Sequence, residues 1–429
     1  MKKLWFAAAA LLACVALVLG LTHLDHAAPV EPVQTDSVVL PIICTGGDAS
    51  WTACIRTVAN AYMSEHPNVK VEVNATPNYK GTTYAEQLLV QEALGKFNGI
   101  VELSNPELYA RAGKLSPLPE SLTDQMKQAQ NTDGAVYAIP RYYSCRGILY
   151  NKSVFQRLGL RPPQSYGDFL SLCEALKAAG ITPLAVGAED LWHMAQWANA
   201  LFSKNVKSVQ PDWIRLRDQG QVHWSDPEPL SMLSDLKTLF DSGYVKSDFA
   251  TTSNTGTIGI LAGGQAAMLC SGTWMISQIL KNSPDLDLGW FFLPNDAGTA
   301  PLIQLNTDWQ WAITAACRED EARYEAAVDL LSFFYSEETY RTVLQTMNGF
   351  SSLKEDLSYT TVPVQANIAR QVAEAGVIEG DTLSGGAVPE GVSNQLYVEL
   401  VALAQGQRTV AETAARLDEI WDGALEKTK

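Results

Sequence analysis

Basic charge is scarce in this 429-residue chain, where 31 Lys and Arg stand against 47 Asp and Glu, a formal net charge of −16. Sequence-independent nucleic-acid binding neutralises phosphates and needs the opposite balance, so that class is disfavoured, as is general attraction to anionic lipid. Histidine is scarce as well, with 5 scattered residues. The cysteine spacings match no zinc pattern, and no metal site is expected. Internal repeats and low-complexity tracts are absent. So are a nucleophile elbow, a metal-hydrolase motif and any motif pairing two carboxylates. Glycoside hydrolysis needs two carboxyl groups facing one bond at a defined separation. The chain is therefore expected to be neither an enzyme nor the holder of a cofactor. Three local matches carry no weight. Asp285-Leu-Asp287 is too short for a calcium loop. Asn151-Lys-Ser153 fits a glycosylation acceptor but follows a bacterial-looking leader. Gly256, Gly259 and Gly263 lack the strand and spacing of a dinucleotide loop.

Apolar residues are plentiful, at 47% of the chain. That fraction supports large cores and, over this length, two domains or lobes. The one long apolar run, 4–21, follows Lys2 and Lys3 and reads as an export signal. It is also just long enough to span a bilayer. Residues 1–28 are accordingly a signal peptide or an N-terminal membrane anchor, and 29–37, with Pro29, Pro32 and Asp36, a linker. Six cysteines follow the leader. Export permits disulfides, the even number is suggestive, and Cys44 and Cys54 flank a turn across which they can meet.

The body opens with a β-rich run, 38–43, interrupted by Pro41, and a loop of turn residues, 44–51. A helix with Ile55, Val58, Ala59 and Tyr62 on one face ends near His66-Pro67. Val69, Val71 and Val73 alternate as in a strand, a helix spans about 85–94, and 99–103 is another strand. This alternation predicts a parallel sheet with covering helices. In such sheets ligands sit outside the carboxyl ends of the strands, which directs attention to the loops 48–51, 78–84 and 104–106.

The segment 134–159 is central. Val136 to Pro140 reads as extended, since the residue before a proline avoids the helical region. Ile148, Leu149 and Tyr150 suit a buried strand, Asn151 caps the next helix and Gly159 ends it. Ser165 and Asp168 form a capping box, and 180–187 is a short buried strand. Glu189, Asp190 and Trp192 open a helix, and a strand then leads through a glycine turn to Trp274. Leu288 to Leu293 and Ala312 to Thr314 are further strands. A helix with Ala327, Leu330, Leu331 and Phe334 inside follows, and Thr409 and Glu412 cap the last helix.

The chain holds 11 Trp and 15 Tyr. Trp51, Tyr84, Tyr142, Tyr143, Trp192, Trp274, Trp309 and Trp311 fall on expected loops rather than core periods. A sugar packs its C–H face on an aromatic ring, while its hydroxyls need planar donors and acceptors. Asp48, Ser104, Asn306, Asp308, Glu189 and Asp190 stand in the right neighbourhoods for that second task. Trp309 and Trp311 alternate on one strand, so only one of them can face a ligand.

Tyr137-Ala-Ile-Pro140, Ile148-Leu-Tyr-Asn-Lys152 and Phe155-x-x-x-Gly159 come in this order. Gly180-Ile-Thr-Pro183, Gly264-Gln-Ala-Ala-Met268 and Gly272-Thr-Trp274 follow. Together they resemble the extracellular solute-binding proteins of ABC importers, the family that includes maltose-binding protein. Two departures stand out. Phe97-Asn-Gly-Ile-Val101 replaces the usual Pro-Asp-Val, and the phenylalanine before Gly-x-Ala-Ala-Met is missing.

The resemblance implies an α/β fold of the periplasmic-binding-protein type II kind, two lobes joined by three crossings. The crossings would lie at about 138–143, 290–293 and 348–351. Lobe 1 would comprise 38–139 and 294–348, and lobe 2 would comprise 140–293 and 349–429. It implies a non-catalytic protein that captures a mono- or oligosaccharide between the lobes, with a stacking aromatic at Trp274. The expected partners are the carbohydrate and ABC transporter permease subunits, with no nucleic acid and membrane contact only through the N-terminal segment. The chain would be a monomer outside the cytoplasm. A polyol or other polar solute, a ligand-sensing domain for a membrane partner, and a glycoside-acting enzyme are the alternatives.

Overall fold

The computed structural model describes residues 37–76, 84–129, 131–296, 305–306, 309–355, 357–375, 383, 388–389 and 391–428. The leader, nearly all of the linker and the loop 78–83 lie outside them. The strands used below are, in chain order, β1 (Val38–Thr45), β2 (Val69–Thr76), β3 (Ile100–Leu103), β4 (Leu115–Ser116) and β5 (Ala138–Pro140). They continue with β6 (Ser144–Asn151), β7 (Thr182–Ala185), β8 (Ala266–Gly272), β9 (Leu288–Phe291), β10 (Leu305–Asn306) and β11 (Gln310–Thr314). The helices are α1 (Ala49–Glu65), α2 (Tyr84–Ala93), α3 (Lys152–Leu158) and α4 (Tyr166–Ala178). After them come α5 (Trp192–Phe202), α6 (Trp274–Asn282), α7 (Glu321–Phe334) and α8 (Glu337–Met347).

The first sheet runs β2-β1-β3-β11-β4, with β5 also on β11. β1 pairs in parallel with β2 and β3, as the strand–helix alternation predicts. β11 lies antiparallel to β3, β4 and β5, so the sheet is mixed rather than wholly parallel. Pro41 does not interrupt β1. Its ladder with β3 begins only at Ile42, which leaves the proline at a ladder end where a missing N–H is tolerated. Gly99 closes on that point, and a Cβ there would stand 2.1 Å from the Pro41 carbonyl oxygen. Trp51, Cys54, Ile55, Val58, Ala59 and Tyr62 form the inner face of α1. They pack with Leu330, Leu331 and Phe334 of α7 and Val343 and Leu344 of α8 into one core.

The second sheet runs β9-β6-β8-β7, with β10 also on β6. Here the local signals read from sequence are realised. Asn151 accepts from the Val154 amide at 3.3 Å to open α3, and Gly159 ends it at φ +66°. Ser165 and Asp168 exchange both capping-box bonds at 3.1 Å. Beyond β9 the chain stays fastened to this body, because the buried Lys204 ammonium holds both Asp235 and Asp296 at 2.9 Å. The return segment then pairs β10 with Cys145 and Ser144 before entering the first sheet as β11.

The two sheets meet at residues 141–143, between β5 and β6. Here Tyr143 and Phe350 exchange backbone hydrogen bonds of 2.9 and 2.8 Å. Phe350 follows the end of α8, where Asn348 adopts φ +51°. All six described cysteines are free and buried, so the Cys44–Cys54 bridge is not formed. Cys44 points into the sheet core and Cys54 into the α1 interface, each packing as a small apolar side chain. Among the described residues no helix is long and apolar enough to cross a membrane.

Candidate functional site

The carboxyl ends of β1 and β3 and the start of β11 lie at one end of the first sheet, because β11 is antiparallel to β3. Asp48 follows β1 there. Its Oδ1 accepts from the Ser50 amide at 2.8 Å and the Trp51 amide at 3.2 Å, capping α1. Burial pushes the Asp48 carboxyl up from its ordinary value, against the pull of those amides, of Arg141 and of the Gln278 side chain. Ser104, half-buried, follows β3. Pairing of Gln310 with Leu103 sets Trp309 beside it. The half-buried Trp309 ring meets Tyr84 edge-on at 5.5 Å. The Tyr84 hydroxyl donates to the carbonyls of Ile43 (3.2 Å) and Glu102 (3.0 Å).

Trp51 is not on a loop. The Asp48 cap starts α1 at Ala49, so Trp51 falls in the first turn and is 0% exposed in the core. It packs on Trp311 at 5.7 Å and Tyr142 at 5.9 Å. Trp311 is buried too, which leaves Trp309 as the partly exposed member of the pair. Tyr142 and Tyr143 lie inside the crossing, 4% and 3% exposed. In this conformation these rings support the site from beneath.

Between the two bodies stands Arg141. It forms an ion pair with the fully buried Glu102. Glu102 Oε2 also accepts from the Thr45 amide (2.9 Å), Thr45 Oγ1 (3.1 Å) and Trp51 Nε1 (3.3 Å). The Arg141 guanidinium lies 4.2 Å from the Trp51 ring and 4.9 Å from that of Tyr142. A buried charge needs this many partners to be tolerated. The cluster fixes the first crossing to the carboxyl ends of β1 and β3.

On the second body, Trp192 opens α5 after β7, and Trp274 opens α6 after β8. Both are half-buried. Trp192 stacks on His193 at 3.9 Å. His193 Nε2 bonds Asn254 Oδ1 at 3.0 Å, and Asn254 Nδ2 donates to Gln278 Oε1 at 3.0 Å. The Asn254 amide in turn donates to Asp190 Oδ2 at 3.0 Å. Gln278 thus closes a polar chain that runs from Asp190 and His193 through Asn254 to α6. Burial lowers the His193 pKa to about 4, against Asp190 and Asn254, so the imidazole is neutral. Trp274 folds back over Gly272, where a Cβ would meet its ring at 1.9 Å. α6 is further tied to the third crossing: Ser277 Oγ donates to the Thr346 carbonyl, and Asn348 Nδ2 donates to Ser277 Oγ at 2.6 Å.

The structure therefore brings Asp48, Ser104 and Trp309 to the end of one sheet and Trp192 and Trp274 to the end of the other. Asp308 and the side chain of Asn306 lie outside the described residues. Sequence reasoning missed Arg141, Glu102, Arg146, Gln196, Asn254 and Gln278. Of these only Arg141, directly after Pro140, carried a local signal. The assembly offers aromatic faces flanked by planar amides, a carboxylate and guanidinium groups, which suits a ligand with C–H faces and hydroxyls. Among the described residues no group of His, Cys, Asp and Glu could hold a metal ion.

A sequence model of the family described as bacterial extracellular solute-binding protein matches residues 49–341. The "Multiple sugar-binding protein" of Streptococcus mutans is 22% identical over 252 residues, 56% of this chain and 59% of that protein. The "Melibiose/raffinose/stachyose-binding protein" of Bacillus subtilis is 22% identical over 349 residues, 76% of this chain and 78% of that one. Among solved structures, a "Chitin oligosaccharide binding protein" superposes with a TM-score of 0.80 at 24% identity, covering 91% of this chain and 100% of that one. That likeness shows the fold: two α/β lobes of the type II periplasmic-binding kind.

Proposed function

This chain belongs to the bacterial extracellular solute-binding protein family, and on that footing we propose that it is the substrate-capturing component of an ABC importer. It takes a mono- or oligosaccharide between its two bodies and delivers it to membrane permease subunits, acting outside the cytoplasm. The observation that carries this reading is the placement of half-buried Trp192 and Trp274 at the carboxyl ends of β7 and β8. Opposite them stand Asp48, Ser104 and Trp309 at the corresponding end of the first sheet. The lobes are taken as 38–139 with the stretch from β11 to residue 348, and 140–293 with 349–429, hinged about Tyr143 and Phe350; the segment through Asp296 and β10, assigned from sequence to the first lobe, stays with the second. Names of relatives that bind melibiose, raffinose, stachyose or chitin oligosaccharides support a carbohydrate over another polar solute.

The protein binds without turnover. His193 is neutral and engaged with Asn254, which orients the polar chain rather than activating a nucleophile. A thermal-shift and tryptophan-fluorescence screen across galactosides, xylosides, maltosides and chitin oligosaccharides tests the reading. A binding sugar raises the melting temperature and quenches emission, and Trp274→Ala removes both responses while the protein stays folded. Product release from a chromogenic glycoside panel would overturn the assignment in favour of an enzyme.

A further inference from the structure

Helix α6 carries Trp274 at its first position and Ser277 one turn later, so the two are neighbours on one helix face. α6 is rooted in the second body, where Met275, Ile276 and Ile279 pack with Leu149, Leu269 and Trp290. Ser277 nevertheless bonds the first body. Its hydroxyl donates to the Thr346 carbonyl and accepts from Asn348 Nδ2 at 2.6 Å. Thr346 lies in the last turn of α8, where carbonyls lack donors from their own helix. α8 is fixed in the first core through Tyr340, Val343, Leu344 and Met347. One hydroxyl of the second body thus closes the end of a helix in the first.

Asn348 takes φ +51°, a backbone that glycine adopts more readily. What asparagine adds there is a side chain, and it is spent on Ser277 in a residue only 4% exposed. The turn it makes sets Gly349 against the Tyr142 ring, 2.6 Å from where a Cβ would stand, and brings Phe350 to Tyr143. Phe350 packs against the same second-body core as Trp192 and Trp274. Beside Ser277, the Gln278 side chain pulls on the Asp48 carboxyl of the first body. Links between the bodies therefore gather on the helix that begins with Trp274. We propose that Ser277 and Asn348 form a latch between the bodies that sets ligand affinity without touching the ligand. With the latch made, α6 presents the Trp274 face opposite Asp48, Ser104 and Trp309; with it broken, the bodies part and that face is withdrawn. Water replaces the broken bonds, so the latch tunes the equilibrium between the two arrangements rather than locking it. This rests on the carbohydrate reading above and adds to it a control on closure. Ser277 is a positioning residue that acts through Trp274, and Asn348 acts through Ser277.

The test begins with isothermal titration of the full chain with melibiose, raffinose, stachyose and N,N′-diacetylchitobiose, followed by the variants with the tightest binder. Ser277→Ala loses both bonds and should weaken that sugar about 5- to 30-fold, the range for two net hydrogen bonds. Asn348→Gly loses one bond and should fall between. Added to Ser277→Ala it should cost no further affinity, because its partner is already gone. Thermal unfolding shows that each variant is folded. Amide exchange of the ligand-free protein supplies a readout that needs no sugar. In Ser277→Ala, exchange should quicken at Tyr143 as well as at 346–350, since the crossing loosens with the latch. Quickening confined to 346–350 would mark the bonds as a local helix cap and overturn the proposal. Unchanged affinity in a folded Ser277→Ala, or fully additive losses in the double variant, would do the same. If none of these sugars binds the unaltered protein, the carbohydrate reading fails, and exchange at Tyr143 still decides the latch.

Discussion

Replacing Gly272 by alanine should move one ring and leave the rest of the fold in place. The added methyl would stand 1.9, 2.2 and 2.4 Å from the far edge of the Trp274 indole. Carbon atoms pack at about 3.5–4.0 Å, so the ring must retreat by about 1.5–2 Å. The backbone has no reason to yield first, since Gly272 needs no positive φ and sits within the β8 ladder. Trp274 is half-buried at a helix start and can swing toward solvent. The cost in stability should therefore be small, about 1 kcal/mol at most, below the usual range for an overpacked core. Binding should suffer much more. If about 100 Å² of apolar contact with a stacked sugar is lost, at about 25 cal/mol per Å², the affinity falls by about 2.5 kcal/mol, or roughly 70-fold. Isothermal titration gives the affinity, urea unfolding gives the stability, and Trp274 emission reports the ring. In a Trp274→Ala background the same glycine change should cost nothing, because the clashing atoms are gone. Unaltered affinity in Gly272→Ala, or an equal stability loss in both backgrounds, would refute the reasoning.

Glu102→Gln leaves the Arg141 guanidinium without its buried counter-charge and should cost about 3 kcal/mol in urea unfolding, most of it recovered by adding Arg141→Met. For His193, the unfolded chain takes up a proton near pH 6.5 that the folded state refuses until about pH 4. The unfolded state thus binds more protons across that window, and stability falls as the pH drops from 6.5 toward 4. The contribution is about 3 kcal/mol. Urea titrations at pH 7 and pH 4.5 should show this loss shrinking in His193→Gln, and parallel profiles for the two proteins would refute it. Asn348 ends α8 at φ +51°, so Asn348→Ala should cost roughly 1–2 kcal/mol more than Asn348→Gly, which loses the Ser277 bond without the strain. Equal melting temperatures for the two would show that the left-handed cap is not strained.

Much of the second body was legible because its signals are local. Asn151, Gly159 and the Ser165–Asp168 box each act within three or four residues, and all three are realised. Some of the failures come from competing local signals, the others from distance along the chain. Cys44 to Trp51 is full of turn residues, yet Trp51 stands at helical spacing with Ile55, Val58 and Tyr62, and that period prevailed once Asp48 supplied the cap. Tyr142 and Tyr143 look like ligand aromatics by position, but they fill the junction where three segments meet. Partners such as Glu102 with Arg141, or Gln196 with Arg146, are separated by 39 and 50 residues, a distance at which no periodicity speaks. The antiparallel return of β11 was invisible for the same reason.

The six sequestered thiols bear on how this molecule fails. Burial pushes every one of them up, Cys54 and Cys317 to about 12, so thiolate is nearly absent in the folded state. Cys44, Cys145, Cys173 and Cys270 are displaced in the same direction by the same cause. Each opening of the chain in an oxidising medium releases thiols of ordinary acidity, free to cross-link in many combinations that no native bridge guides. Reversible unfolding then becomes a one-way loss, and the lifetime of the exported protein is governed by how rarely it opens. A substitution that costs little at equilibrium under reductant would drain the active pool steadily without it.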